Sequence, residues 1–233
     1  MKKHIFVLLT FAFACLMFTN AKAQTTTRSV SDYTGIECNG PFNVTIKIDG
    51  TESLTLDIDA AVEKEVITKV ENGILKIEFK NWWKNHRDIK RANVYVSAKS
   101  LSYLGSSGSG NAVLAAGSIT GQRAKIAVSG SGNLKAAVNA ETLQISVSGS
   151  GNAVLAGSAT AAEIRVSGSG EVNGKQLRVQ RVEASISGSG NVDIIADEAV
   201  SARISGSGGL SYSGNAQIVN DKHSGSGRIS KHD

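Results

Sequence analysis

The sequence predicts an all-β chain, a right-handed parallel β-helix closed at its N-terminal end by a hairpin-rich cap. Three observations carry that reading. Ser-Gly-Ser-Gly begins at Ser107, Ser129, Ser148, Ser167, Ser187, Ser205 and Ser224, so successive copies lie 18 to 22 residues apart. A repeat of about twenty residues marks a solenoid, because one such unit is too small to bury its own apolar face. The residues before each copy alternate apolar with polar, as in Ile126-Ala127-Val128, Ile145-Ser146-Val147 and Ile164-Arg165-Val166, which is the period of a strand. No copy contains a helix-length apolar stripe, which sets aside leucine-rich, ankyrin and tetratricopeptide arrays. Right-handed coiling follows from strand twist and crossover sterics. Coils stacked about 4.8 Å apart make a rod of roughly 30 to 35 Å.

The tetrapeptide suits such a coil. Continuing the parity of Ile145 and Val147 turns Gly149 and Gly151 inward and Ser148, Ser150 and Asn152 outward, unless a corner resets it. Glycine allows a bend or a close backbone approach there. Stacked serines and asparagines form columns whose side chains can hydrogen-bond from coil to coil. Asparagine follows in four copies, as Asn111, Asn133, Asn152 and Asn191, but Glu171, Gly209 and Arg228 take its place in the others. The ladder is therefore broken towards the C-terminus.

These copies, with the lead-in Val94 to Leu101, resemble the bacterial autotransporter adhesin, head GIN domain family over residues from about Tyr33 to His232. The resemblance implies a right-handed β-helix from Bacteroides-like Gram-negative bacteria and, by the family's name, adhesion. It brings no catalytic, ligand or cofactor residues to this chain.

At the N-terminus, Lys2 and Lys3 precede an apolar run from Ile5 to Phe18, and Ala21-Lys22-Ala23 forms a small-x-small site. This is a secretory signal peptide over residues 1–23, too short to span a membrane. Cys15 invites a lipoprotein reading, but Phe13, Ala12 and the apolar residues after it depart from that pattern. Removing the leader takes three lysines from a chain of formal charge +5, leaving 22 basic and 20 acidic residues, dispersed. No phosphate-tracking stripe or polybasic patch remains, which excludes nucleic acid as a partner. Cys38 is the one mature cysteine, so no internal disulfide forms and stability rests on packing.

Residues 24–104 read as a cap over the open N-terminal end, or as irregular first coils whose last strand, Ala92 to Leu104, enters the repeat register. Asn43 to Ile48 and Ser53 to Ile58 flank Asp49-Gly50, and Ile67 to Val70 and Ile74 to Phe79 flank Asn72-Gly73, so two antiparallel hairpins are predicted. Between them Asp59 can cap one short helix through Val66. Residues 105–233 are the β-helix repeats. No stretch beyond the solenoid is expected to build a translocating barrel.

Common catalytic signatures fail. The position two before Ser131, Ser150 or Ser207 is Ser where a nucleophile elbow needs Gly, and no dinucleotide or phosphate-loop pattern fits. Mature histidines are His86, His223 and His232, with no metal-ligand spacing. Polysaccharide lyases share the fold class, but Glu141, Glu163, Glu171, Glu183 and Asp193 do not recur at one repeat phase. The one unusual cluster is Trp82, Trp83, Lys84 and Arg87. Adjacent tryptophans are platforms for sugar rings or a protein partner, with Lys84 and Arg87 for orientation; alternatively, one Trp packs under the loop and plugs the open core. The chain is thus expected to be a non-catalytic structural or adhesin-like module, exported to the periplasm, outer-membrane surface or beyond. A carbohydrate-binding or carbohydrate-active β-helix is the alternative. Its expected partners are a surface glycan or a protein, without cofactor, metal or integral membrane segment.

Overall fold

The computed structural model describes residues 25–80 and 89–232; the leader 1–23 and the cluster Trp82, Trp83, Lys84 and Arg87 lie outside them. Among the described residues the chain is all-β apart from one 3-10 turn, and its strands stack as coils, most of them paired in parallel, around one continuous apolar core.

The repeats run through β8 (Tyr103–Gly108), β9 (Asn111–Ala116), β10 (Ile119–Gly130), β11 (Asn133–Gly149), β12 (Asn152–Gly168), β13 (Glu171–Gly188), β14 (Asn191–Gly206), β15 (Gly209–Ser213), β16 (Gln217–Ser224) and β17 (Arg228–Lys231). Each long strand bends around the coil and pairs in parallel with the next over much of its length. In β11 the alternation sends Leu134, Ala136 and Val138 inward; the phase resets across Asn139 to Thr142, and Leu143, Ile145 and Val147 then point inward. Register pairing stacks like on like: Ile126, Ile145 and Ile164 form one interior column, and Val128, Val147, Val166, Ile186 and Ile204 another. Each fully buried aliphatic side chain contributes about 1.5–3 kcal/mol.

The Ser-Gly-Ser-Gly segments are tight corners. The Gly130 carbonyl accepts hydrogen bonds from both Ser150 N (2.8 Å) and Gly151 N (2.9 Å) of the next coil, and the Gly149 carbonyl does the same for Ser169 and Gly170. Gly149 has φ +101°, and a Cβ on it would lie 2.6 Å from the Gly130 carbonyl oxygen. The parity expectation is therefore corrected for Gly149, which is exposed and makes the bend, whereas Gly151 is buried as expected. A positive φ rotates the chain out of strand alternation, so parity restarts after it.

The N-terminal region joins the stack as irregular first coils, and one of its two predicted hairpins is replaced. β2 (Gly35–Asn39) and β3 (Asn43–Ile48) form a coil that pairs in parallel with β8 and β9, with Asn39 against Ser107 and Asn43 against Asn111. On its other side lie β6 (Ile74–Phe79) and β7 (Ala92–Ala98), also parallel. The first predicted hairpin does not form, because β7 sits between β3 and β4 (Ser53–Ile58), and β4 pairs antiparallel with β7. Alternation about Asp49-Gly50 marks two strands and a reversal, but β7, with Val94, Val96 and Ala98 buried, completes the edge of β3 instead. The connection crosses the end of β7, where Asp49 N donates to Ala98 O (3.2 Å) and Ser97 Oγ to Asp49 Oδ2 (3.0 Å).

The second hairpin, β5 (Val66–Glu71) with β6, forms as predicted, and Asn72 and Gly73 at its turn have φ +51° and +72°. The predicted helix shrinks to one 3-10 turn, Glu63–Glu65, with no side-chain cap. Asp59 instead accepts the backbone N–H groups of Lys90 (2.8 Å) and Arg91 (3.1 Å), which hold its carboxyl below the usual range.

The two ends are closed differently. At the N-terminal end, β1 (Thr26–Arg28) pairs with β4, and Arg28 donates to Val66 O (2.6 Å), Thr68 Oγ1 (3.2 Å) and Glu63 O (3.1 Å), tying two outermost strands together. At the C-terminal end β16 pairs with β14 and β17 with β15, and the positions that earlier coils fill with Ala202 and Ile204 hold Asp221 and His223. Their side chains lie 3.2 Å apart, so the apolar column ends in polar groups, which disfavours further strand addition.

Candidate interaction surfaces

Three surface features follow from this stacking. The first is the asparagine ladder. Asn152 Nδ2 donates to Asn133 Oδ1 (3.0 Å), Asn133 to Asn111 (2.9 Å) and Asn111 to Asn43 (3.0 Å). Asn43 joins the ladder although it follows no Ser-Gly-Ser-Gly copy. Its signal is Gly40-Pro41-Phe42-Asn43, which shares with Gly108-Ser109-Gly110-Asn111 the glycine three residues before the asparagine. Glu171, paired in register between Asn152 and Asn191, interrupts the ladder where the sequence indicates.

The second feature is the connection from β6 to β7. Glu78 pairs with Asn39, so the chain leaves β6 where the next coil turns its glycine corner. The next described strand, β7, begins at Ala92. At this end of β6, Phe42 stacks on Phe79 with ring centroids 4.7 Å apart and both side chains buried, filling the core. Both stems are anchored. Lys80 N donates to Glu65 O (2.8 Å), the Asp59 carboxylate holds the N–H groups of Lys90 and Arg91, and Arg91 Nε lies 3.1 Å from Asp57 Oδ1. Asn93 Nδ2 also donates to Asp57 (3.2 Å). The predicted site residues Trp82, Trp83, Lys84 and Arg87 fall within this connection, outside the described residues.

The third feature is the charged surface of the repeats. Arg178 makes two hydrogen bonds to Asp197 (2.9 and 2.7 Å), Arg181 pairs with Glu198 (2.9 Å), Arg203 with Glu183 (3.1 Å) and Arg165 with Glu163. These are solvated pairs that contribute little stability, and they break the surface into alternating signs. Among the described residues no group of three or more His, Cys, Asp or Glu side chains could hold a metal ion. No helix among them is long and apolar enough to cross a membrane.

Cys38 is buried in β2, as expected, and burial, then the charge of Glu37, pushes its thiol up to about 12. The native thiol should therefore react with Ellman's reagent at pH 8 about a thousandfold more slowly than a free cysteine, and at the normal rate in denaturant. A native rate near that of the unfolded chain would contradict its placement in the core.

The family model described as "Putative auto-transporter adhesin, head GIN domain" matches residues 32–216. The chain belongs to this family. Among solved structures, a "putative adhesin" from Bacteroides fragilis superposes with a TM-score of 0.80 at 21% identity, covering 90% of this chain and 96% of that one. A "putative lipid binding protein" from Parabacteroides distasonis gives 0.72 at 25% identity, with 92% and 98% covered. A "putative adhesin" from Parabacteroides merdae gives 0.66 at 22% identity, again with 92% and 98% covered. No curated protein matches the chain. The GIN-domain family thus shares the solenoid, and the expected family and its β-helix class hold for this chain.

Proposed function

We propose that the mature chain is an exported, non-catalytic adhesin-type module of the bacterial envelope that recognises its partner through Trp82 and Trp83, oriented by Lys84 and Arg87. One observation carries the reading: the chain leaves β6 beside the next coil's glycine corner, and the two described stems of the connection that holds the tryptophans, Lys80 and Lys90–Arg91, are held by Glu65, Asp57 and Asp59. Phe42 and Phe79 already fill the core at the end of β6, which favours recognition over plugging as the role of the tryptophans. The descriptions of the Bacteroides and Parabacteroides relatives as adhesins support the same class. We divide the chain into a leader 1–23, a cap 24–104 and repeats 105–233, with right-handed coils. A carbohydrate-binding role uses the same aromatic pair, since tryptophan faces are platforms for sugar rings.

The test is the double substitution Trp82→Ala/Trp83→Ala in the mature protein, assayed against immobilised glycans, matrix proteins and bacterial surfaces, with thermal melting in parallel. An aromatic anchor contributes ~2 kcal/mol or more, so binding should weaken by at least about thirtyfold while the melting temperature holds. Unchanged binding with a large fall in melting temperature would return both residues to packing. Failure of the parent protein to bind any of these surfaces would overturn the adhesin reading itself. Protease shaving of intact cells separates cell surface from periplasm.

A further inference from the structure

The coil pattern carries a three-residue insertion on the outer face of the C-terminal repeats. Pairing of β13 with β14 jumps from Gly174–Ile194 to Arg178–Ile195, so Lys175, Gln176 and Leu177 are extra residues on β13. Leu177 packs into the core and Lys175 is left exposed. Gly174 permits this, since a Cβ there would lie 2.9 Å from the Asp193 carbonyl oxygen. Such bulges re-aim side chains and recur beside functional sites. Here the bulge walls a cavity of about 340 Å³, lined by Lys175, Asp193, Ser211, Tyr212, Ser213 and His232 among others. His232 is held at its rim by the bond from its backbone N to Tyr212 O (2.8 Å).

The polar groups there are unspent. Ser211 Oγ meets Ser230 Oγ at 3.1 Å, but among the described residues the Asp193 carboxylate and the Lys175 ammonium have no hydrogen-bond or ion-pair partner, although both line one cavity. The nearby Arg178 and Asp197, by contrast, are joined by two hydrogen bonds. We propose that this cavity binds a neutral pyranose unit of a glycan. A carboxylate only accepts, an ammonium only donates and serine hydroxyls do both, so the ligand that satisfies all of them presents several hydroxyls in different directions. Lys175 and Asp193 are of opposite sign, so their two charges offset and neither alone selects an ion. The volume lies near the lower bound of about 300 Å³ for small-molecule sites, which suits a single ring. Tyr212 is buried and offers no exposed stacking face, so affinity rests on hydrogen bonds and falls in the millimolar range. This site is on the repeats, separate from the connection 80–91, and stands or falls independently of it.

The experiment is a nuclear magnetic resonance titration of the mature protein with methyl β-D-glucopyranoside, methyl α-D-mannopyranoside and methyl β-D-galactopyranoside, and with methyl α-D-galacturonide as the anionic comparison. At least one neutral glycoside should shift the amides of Asp193, Ser211 and Ser213 saturably. Asp193→Asn, which keeps the shape, and Lys175→Ala, at an exposed position, should each weaken that binding about tenfold, with melting unchanged. Three results would overturn the proposal: no saturable shift at these amides with any neutral glycoside, binding of the uronide alone, or undiminished affinity in both variants.

Discussion

Gly168→Ala is expected to cost about 3–5 kcal/mol of stability, more than a typical surface substitution by several fold. Gly168 has φ +111°, where an L side chain is strained by about 1–3 kcal/mol. Its Cβ would also lie 2.5 Å from the Gly149 carbonyl oxygen. That oxygen accepts the N–H groups of Ser169 and Gly170, both at 2.9 Å, so moving it away weakens two bonds that join adjacent coils. Each such bond contributes about 0.5–1.5 kcal/mol. A control isolates the dihedral from the collision. Gly50 has φ +84° with nothing within 4 Å of its Cβ, and Gly50→Ala should cost only about 1 kcal/mol. Urea unfolding followed by circular dichroism ranks the two. If Gly168→Ala proves no worse than Gly50→Ala, close stacking of the corners is not what holds the coils together.

Ile164→Ala should cost about 3–4 kcal/mol, within the range of about 2–5 kcal/mol for truncating a buried aliphatic side chain. Ile164 is fully buried, in register with Ile145 on one side and Ala184 on the other. The backbone on both sides is held by parallel ladders, so the coil cannot collapse into the space left behind. Ile229, partly buried in the terminal strand β17, is the comparison. It has a neighbouring strand on one side only, and Ile229→Ala should cost under about 1 kcal/mol. Because each coil of a solenoid is stabilised by its neighbours, the interior substitution should also broaden the unfolding transition. Equal losses at the two positions would contradict a continuous core running along the repeat columns.

The cap carries a consequence for folding. The coil β2–β3 is earliest in sequence but lies between β6–β7 and β8–β9 in space. It therefore cannot gain both neighbours until the chain has passed Asn111, whereas each later coil adds to one already formed just before it. Such non-local parallel pairing is slow to form, because the loops that join it must close before any contact rewards them.

The stacking of the coils is local in origin. The alternation of Ile145, Val147 and their equivalents assigns inward and outward faces, the glycines place the corners, and Asn111, Asn133 and Asn152 announce a ladder that forms as hydrogen bonds of 2.9–3.0 Å. The turn at Asn72-Gly73 is equally local, since two residues with positive φ are enough to make it. Which strands are neighbours before Tyr103 depends instead on contacts between distant segments. Asp49-Gly50 reads like a hairpin turn, but β7 intervenes, and Asp59 reads like a helix cap but holds the stem that leads into the adjacent strand β7, more than thirty residues later in the chain. The cavity wall at Lys175, and the convergence of Asp193, Ser211 and His232 beside it, are likewise invisible in a list of residues that differ in spacing from one repeat to the next. The physical reason is common to all of these. A side chain's face is set by the backbone within a few residues of it, whereas its partner across a parallel sheet is set by which distant segment buries the most apolar surface against that edge.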